Sequence, residues 1–314
     1  LTRLMARAKA IALYPFHLLG NKLVYEKIRG ATGGKIRYVI SGGGSLAQHI
    51  DTFFEIVGIN ILVGYGLTET SPVTNARRPE RNVCGSAGPA LKGTEIRIVD
   101  PETRQTLSQG QKGLVLIRGP QVMQGYYRKP EATAKAIDPE GWFDSGDLGW
   151  VTPQGDLVLT GRAKDTIVLT NGENIEPQPI EDACARSPYI DQIMLVGQDQ
   201  KSLGALIVPN LEALGQWMSQ GGLGLQLPDP DIPSEQLPQT DLYSKPVLNL
   251  FKQELNREIK NRPGYRVDDR ISDFALILEP FSIENGLMTQ TLKVKRPVVA
   301  EKYAALIASL YDKD

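Results

Sequence analysis

The residues best equipped for chemistry follow a short apolar run, in the stretch Gly64-Tyr65-Gly66-Leu67-Thr68-Glu69-Thr70-Ser71-Pro72. Tyr65 offers a flat ring that can stack on a base, and Thr68 a hydroxyl that can donate to a phosphate oxygen. Glu69 offers a carboxylate suited to a hard cation such as Mg²⁺. The same text also suits a structural turn. A second polar group, Asp144-Ser145-Gly146-Asp147, places a carboxylate after a glycine, where Asp147 can accept hydrogen bonds from paired sugar hydroxyls. A third lies between two strand-like runs. Leu157 to Leu159 breaks at Gly161, Thr166 to Leu169 ends in the turn signal Asn171-Gly172, and Arg162-Ala163-Lys164-Asp165 joins them. Such a segment suits a hinge that brings two sets of groups to one substrate in turn, or an ordinary charged β-turn.

These groups need elements to carry them. Ile36 to Ile40 reads as a buried strand that ends in Ser41-Gly42-Gly43-Gly44-Ser45-Leu46, and the helical pattern Ala47 to Val57 follows. Glycines at such a turn let backbone approach a ligand closely. The lysine and hydroxyl of a P-loop are missing, and the GxGxxG pattern is not met because Ala47 stands at its last glycine. The next strand, Asn60 to Val63, runs directly into the Tyr65 cluster, at the strand end where α/β sheets bind ligands. From Val83 the text changes to short strands between turns: Glu95 to Val99, Gly113 to Ile117 and Leu157 to Leu159, with a short helix over Pro130 to Ala136. After the hinge segment, Pro177 to Arg186, Ile190 to Gly197 and Ala205 to Pro209 read as helix, strand and strand. Ser219 to Thr240 is rich in Gly and Pro and reads as a loop. A helix then starts with Ser244 as its N-cap and Pro246 just inside; Leu248, Phe251, Leu255 and Ile259 form its apolar stripe, and it stops before Pro263.

Composition excludes several classes. The 314 residues carry a net charge of -1, which argues against a nucleic-acid-binding protein whose affinity comes from clustered Lys and Arg. Cys84 and Cys184 lack CxxC spacing, so neither a disulfide framework nor a zinc site is indicated, and a reducing, cytoplasmic compartment fits. His17 and His49 are the only histidines; without metal-ligand spacing or a nucleophile beside them, a hydrolase is disfavoured. No apolar run reaches the roughly 18 residues of a membrane span. The segment from Leu1 to Arg37 is different, with eight basic residues against Glu26 and apolar residues at helical spacing. It suits peripheral contact with an anionic membrane or an acidic partner, or else a helix packed on its own domain with a solvated basic face.

The ordered set SGGGSL, GYGLTET, QGYYRKPEAT, GWFDSGDLGW, GRAKDTIVLTNGENIEP and NGLMTQTLKVKR resembles the adenylate-forming superfamily of acyl-CoA synthetases, in its long-chain fatty-acid branch. NARRPERNVCGSAG and ELNREIKNRPGYRVDDR look most similar to the acyl-acyl carrier protein synthetases of cyanobacteria and plastids. The resemblance implies an α/β plus α+β fold. Residues 1–163 would form the C-terminal portion of the large AMP-binding domain, with its sheet-helix layer and a β-rich subdomain over about 83–163. Residues 164–314 would form a small mobile α+β lid domain.

By the same resemblance, Gly42, Gly43 and Gly44 match the adenine-side loop, Tyr65 the ring stacking on adenine, Thr68 the α-phosphate contact and Glu69 the Mg²⁺ carboxylate. Asp147 and Arg162 match the pair that holds the ribose, Lys164 the hinge, Gly172 the loop lining the pantetheine tunnel, and Lys293 the late catalytic lysine. The implied reaction joins a long-chain fatty acid to ATP as acyl-AMP, then passes the acyl group to the thiol of CoA or acyl carrier protein. A catalytically silent nucleotide-binding or carrier-docking homologue, or a ligase for a different carboxylic acid, are the alternatives. The charge of Lys293 suits its role, since carboxylate attack on a phosphate brings anions together. Leu292, however, stands where most relatives have Gly, and Lys295 lies two residues on; on a strand, 293 and 295 would share a face. Nothing in residues 1–40 resembles the family's phosphate loop, so a missing N-terminal half, and a piece inactive in adenylation by itself, are expected. Lys245 to Arg270 holds seven basic residues against four acids, which suits docking of an acidic carrier protein or a solvated helix face.

Overall fold

The computed structural model describes residues 2–229, 232 and 234–312. The chain start at Leu1 and, within the expected 219–240 loop, Pro230, Asp231 and Pro233 lie outside the described residues, as do the side chains of Arg3 and Arg7. The chain divides into two compact units, Leu1–Ser145 with Trp150–Leu159, and Gly146–Gly149 with Thr160–Asp314.

The first unit begins with helix α1 (Thr2–Gly20), a π-helical turn (Asn21–Tyr25) and α2 (Glu26–Ala31). The packed-helix expectation fails here. Ile11, Leu13, Tyr14, Phe16, Leu18 and Leu19 are all exposed. Their positions run right round the helix, which also carries Pro15, so no single apolar stripe exists to bury. Strand β1 (Tyr38–Ser41) pairs in parallel with β2 (Asn60–Gly66), which pairs antiparallel with β3 (Val73–Ala76), and α3 (Gln48–Val57) connects the parallel pair. Contrary to expectation, β1 is exposed rather than buried, with Ile40 at 75%. It is an edge strand, and no apolar cluster of the described residues includes it. The turn after β3 is tied to α3 by a buried ion pair: Arg77 donates to both oxygens of Asp51 at 3.0 and 2.7 Å. Burial pushes the Asp51 carboxyl up, but the hydrogen bonds from Arg77 and the Gly85 N–H outweigh it and hold the carboxyl below its ordinary range.

A five-stranded sheet follows, built from β4 (Gly88–Pro89), β5 (Glu95–Val99), β6 (Gly113–Arg118), β7 (Phe143–Val151) and β8 (Asp156–Arg162) in the order β4-β8-β7-β6-β5, with α4 (Pro130–Ala136) before β7. Ile98, Val115, Ile117, Phe143 and Leu157 form its core. The expected break at Gly161 does not occur. Glycine satisfies the ladder as well as any residue, and β8 continues through it to Arg162. Residues 146–149 of β7 and 160–162 of β8 belong to the second unit.

In that unit, the hairpin of β9 (Ile167–Val168) and β10 (Asn174–Ile175) precedes α5 (Pro177–Cys184), β11 (Ile190–Val196), β12 (Leu203–Pro209), α6 (Leu211–Gln220) and α7 (Lys245–Lys260). Then come β13 (Ile271–Leu276), α8 (Arg296–Lys302) and α9 (Ala304–Ser309). Strand β12 lies centrally, antiparallel to β11 and parallel to β13. Alternation divides its residues between two cores, as a pleated strand buried on both faces requires. Leu203, Ala205 and Ile207 join Phe251, Leu255 and Phe274 on one face; Leu206 and Val208 join Phe281, Leu287 and Val299 on the other. Ser244 does precede α7, but its hydroxyl makes no capping bond; it is buried without a partner. No helix of the described residues is long and apolar enough to cross a membrane.

Candidate functional site

Within the first unit, the glycine loop and the Tyr65 cluster leave adjacent strands on the same side. Gly42, Gly43 and Gly44 follow β1, and β1 and β2 are parallel, so Gly42 comes to lie beside Gly64: a Cβ at 42 would stand 3.1 Å from the Gly64 carbonyl oxygen. Tyr65 is half-buried, with its ring against the core of the five-stranded sheet. Thr68, Glu69 and Thr70 form a single 3₁₀ turn. Its tightness depends on Gly66, where a Cβ would fall 1.7 Å from the Pro72 carbonyl oxygen. Thr70 is wholly buried, and its hydroxyl accepts from the Leu67 N–H at 2.9 Å and lies 3.0 and 2.6 Å from the carbonyl oxygens of Leu67 and Pro72.

The turn thereby holds Glu69 in place. Its carbonyl accepts from the Met123 N–H at 2.7 Å, and its Oε1 accepts from the Tyr126 hydroxyl at 3.0 Å. Burial, then the bond to Glu69, pushes the Tyr126 phenol above its ordinary range, so it remains a donor. Sequence reasoning missed Tyr126 and Gly66 as site residues. Tyr126 stands 57 residues from Glu69, and no local spacing announces the pair. The described residues contain no cluster of three or more potential metal ligands. A lone anchored carboxylate nevertheless fits Mg²⁺, which keeps several waters and takes one or two carboxylates beside substrate phosphates.

Within the second unit, Asp147 and Arg162 meet across β7 and β8, with Arg162 Nε 2.9 Å from Asp147 Oδ1. Asp147 is buried and Arg162 half-buried, so the pair is pre-formed at the edge of solvent. Lys164 stands two residues on, in the 3₁₀ turn Ala163–Asp165 between β8 and β9. The predicted turn at Asn171-Gly172 joins β9 to β10: the Gly172 N–H donates to Leu169 at 2.9 Å, and φ of +85° there calls for glycine. Two neighbouring side chains hold this loop. Asn171 donates to Asp268 at 3.0 Å, and Arg266 donates to Glu173 at 3.3 Å and to the Asn174 carbonyl at 3.1 Å. Sequence reasoning missed this tie also, because the partners lie more than ninety residues apart.

Lys293 is exposed, and the expected strand around it is absent. Only a single bridge, Met288 to Val294, closes a turn in which the Leu292 N–H donates to Thr289 and the Lys293 N–H to the Thr289 hydroxyl. Leu292 adopts φ of +58°, a left-handed conformation that turns the chain, so 293 and 295 do not follow strand alternation. That conformation is a physical reason for glycine to suit position 292. The stem of the turn is anchored: Lys295 donates its N–H to Leu287, and Arg296 reaches the buried Glu181 at 2.7 Å.

Comparisons with known proteins place the chain among adenylate-forming enzymes. Residues 6–127 match the model of the AMP-binding enzyme family, and residues 164–220 match that of the AMP-binding enzyme C-terminal domain. Two Arabidopsis thaliana proteins are similar over 98% of the chain: probable acyl-activating enzyme 16, chloroplastic, at 45% identity, and the chloroplastic long-chain-fatty-acid–(acyl-carrier-protein) ligase AEE15 at 44%. Long-chain-fatty-acid–CoA ligase FadD15 of Mycobacterium tuberculosis is 32% identical over 95% of the chain. The chain spans 42%, 40% and 46% of the lengths of these relatives. Among solved structures, the A-PCP didomain of carboxylic acid reductase from Segniliparus rugosus, in complex with AMP, superposes with a TM-score of 0.73 at 23% identity, over 92% of this chain and 36% of that one. This likeness establishes the fold.

Proposed function

Because the chain belongs to the AMP-binding enzyme family, we propose that the whole protein carrying it is an acid-thiol ligase for long-chain fatty acids. In the first half-reaction a fatty carboxylate oxygen attacks the α-phosphorus of ATP, the bond to the β-phosphate oxygen breaks, and pyrophosphate leaves. In the second, the sulfur of a phosphopantetheine thiol attacks the acyl carbon, the carbon–oxygen bond to AMP breaks, and AMP leaves. The long-chain preference and the thiol, of CoA or acyl carrier protein, rest on the relatives' names.

The observation that carries the reading is the anchored Glu69 carboxylate on the turn directly after β2, in the segment that also carries Tyr65 and Thr68. Glu69 would hold Mg²⁺, whose charge neutralises phosphate oxygens. Tyr65 stacks on adenine and Thr68 contacts the α-phosphate, while Gly42, Gly43 and Gly44 leave room for backbone to approach the base. Asp147 accepts from the ribose hydroxyls, with Arg162 orienting it. Lys293 offsets the charge that builds as two anions meet. Residues 164–314 act as a lid that turns at Lys164, withdrawing Lys293 and presenting the Gly172 loop to the thiol. The excess of basic residues over 1–37 suits peripheral contact with an anionic membrane surface.

The test separates the two halves. Lys293→Ala in the whole protein lowers ATP-dependent acyl-AMP formation by a hundredfold or more, on the order expected for losing about 3 kcal/mol of transition-state stabilisation. Thioester formation from supplied acyl-AMP persists. Equal loss of both reactions would overturn the role of Lys293, and absence of AMP release with palmitate and either thiol would overturn the ligase reading.

A further inference from the structure

The segment from Lys245 to Arg270 carries acids as well as bases, but the fold spends the acids internally. Glu254 and Glu258 are buried, and both bind Arg257, at 2.7 and 2.9 Å. Glu254 also accepts from Ser187 at 2.6 Å, and Glu258 lies 2.8 Å from Arg186. Asp269 is buried and paired with Arg262 and Arg266. Asp268 accepts from Asn171. What remains toward solvent is basic. Lys245, Lys252 and Lys260 stand about two helical turns apart in succession on α7, so they line one face. All three are exposed, as is Arg270, and none of the four makes an ion pair with the described residues.

An exposed apolar residue stands on the turn that Arg262, two residues past α7, ties to the end of that helix through Asp269. Val267, on the 3₁₀ turn Val267–Asp269, is 78% exposed between the basic Arg266 and Arg270. That turn also holds the Gly172 loop, through the bonds of Asp268 to Asn171 and of Arg266 to Glu173 and Asn174. An exposed apolar residue close in sequence to Arg270, on a turn tied to the end of a helix whose solvent face carries unpaired lysines, has the make-up of a protein-recognition surface, an apolar anchor with a charged rim.

We propose that Lys252, Lys260, Arg270 and Val267 form the docking surface for an acidic protein that carries the acceptor thiol, next to the loop past which that thiol enters. The assignment rests on the ligase reading above. Charge complementarity selects an acidic protein, and the bonds that tie the Val267 turn to the Gly172 loop select the acceptor rather than the fatty acid or ATP. Arg266 acts here as a positioning residue, since it links the surface to the loop.

The experiment compares two thiols in the whole protein. The triple variant Lys252→Glu, Lys260→Glu, Arg270→Glu raises the KM for holo-acyl carrier protein at least tenfold, while acyl-AMP formation and the KM for CoA stay within twofold of wild type. Binding of holo-acyl carrier protein, followed by fluorescence anisotropy, weakens as salt is raised in the wild type and loses that dependence in the variant. Val267→Ala alone weakens the same binding without changing its salt dependence. An unchanged KM for the carrier overturns the proposal. So does a parallel rise in the KM for CoA, which would assign these cations to CoA phosphates, or loss of binding to phosphatidylglycerol vesicles with carrier use intact, which would assign them to a membrane. A protein that makes no acyl-AMP would sink the ligase reading alone, and the binding measurement would still decide the surface.

Discussion

Two turns carry the charges assigned to the adenylation step, and they are built on opposite principles. The Glu69 turn is over-determined: a wholly buried threonine closes it, a glycine lies under a carbonyl, and a tyrosine hydroxyl holds the carboxylate. The Lys293 turn has an anchored stem and an open tip. Its residues Thr289 to Lys293 bond to one another, and its corner is a leucine in a left-handed conformation with its side chain 68% exposed. A carboxylate that must meet a metal and a nucleotide gains from being fixed before they arrive, because no reorganisation is then required at reaction. A lysine that serves one half-reaction and withdraws for the other gains from the opposite arrangement.

The contrast breaks most sharply at Gly66. Gly66→Ala places a methyl group against the Pro72 carbonyl, which is backbone and cannot rotate away. The cost exceeds about 3 kcal/mol, visible as a fall in the denaturation midpoint, and acyl-AMP formation drops with it. Retention of wild-type stability would show that the Glu69 turn is pliable after all. Thr70→Val is the milder form of the same test. It keeps the shape but orphans the part-buried Leu67 N–H, at a cost of about 1–3 kcal/mol. Its kinetic signature is a raised KM for MgATP with the KM for fatty acid unchanged; a change in both alike would detach Thr70 from the placement of Glu69.

Much of this contrast was legible in the sequence, and the parts that were not share a cause. Runs such as Asn60 to Val63 and Ile190 to Val196 showed their strands because their apolar residues are consecutive or alternate. Strand β7, FDSGDLGWV, escaped notice because serine, aspartate and glycine fill it; it is a strand because β6 and β8 flank it and Ser145 bonds to Val115. β13 escaped for a similar reason, with Ser272 and Asp273 interrupting its apolar residues. Ile36 to Ile40 failed in the other direction. Apolar text predicts burial, but burial needs a neighbour, and among the described residues β1 pairs only with β2. Within the site, Tyr65, Thr68 and Glu69 were readable as a motif, whereas Tyr126, Arg266 and Asp268 act across distances that local spacing cannot encode. The same limit misled the reading of Lys293, where two lysines at alternate positions imitate a strand.

The smallest expected effect is at Leu292, and it bears on the open tip directly. A left-handed conformation costs a non-glycine residue about 1–2 kcal/mol, while glycine brings an unfolded-state entropy cost of roughly 0.5–1 kcal/mol. Leu292→Gly is therefore expected to stabilise the protein by no more than about 1.5 kcal/mol, and the acyl-AMP rate to move less than about tenfold. Leu292→Ala supplies the control, since alanine keeps the backbone penalty and removes only an exposed side chain. If glycine accelerates acyl-AMP formation and alanine does not, backbone strain at the corner limits how Lys293 is presented. Should both variants change the rate equally, the leucine side chain itself makes a contact in the reacting state, and the corner conformation has no part in setting the rate.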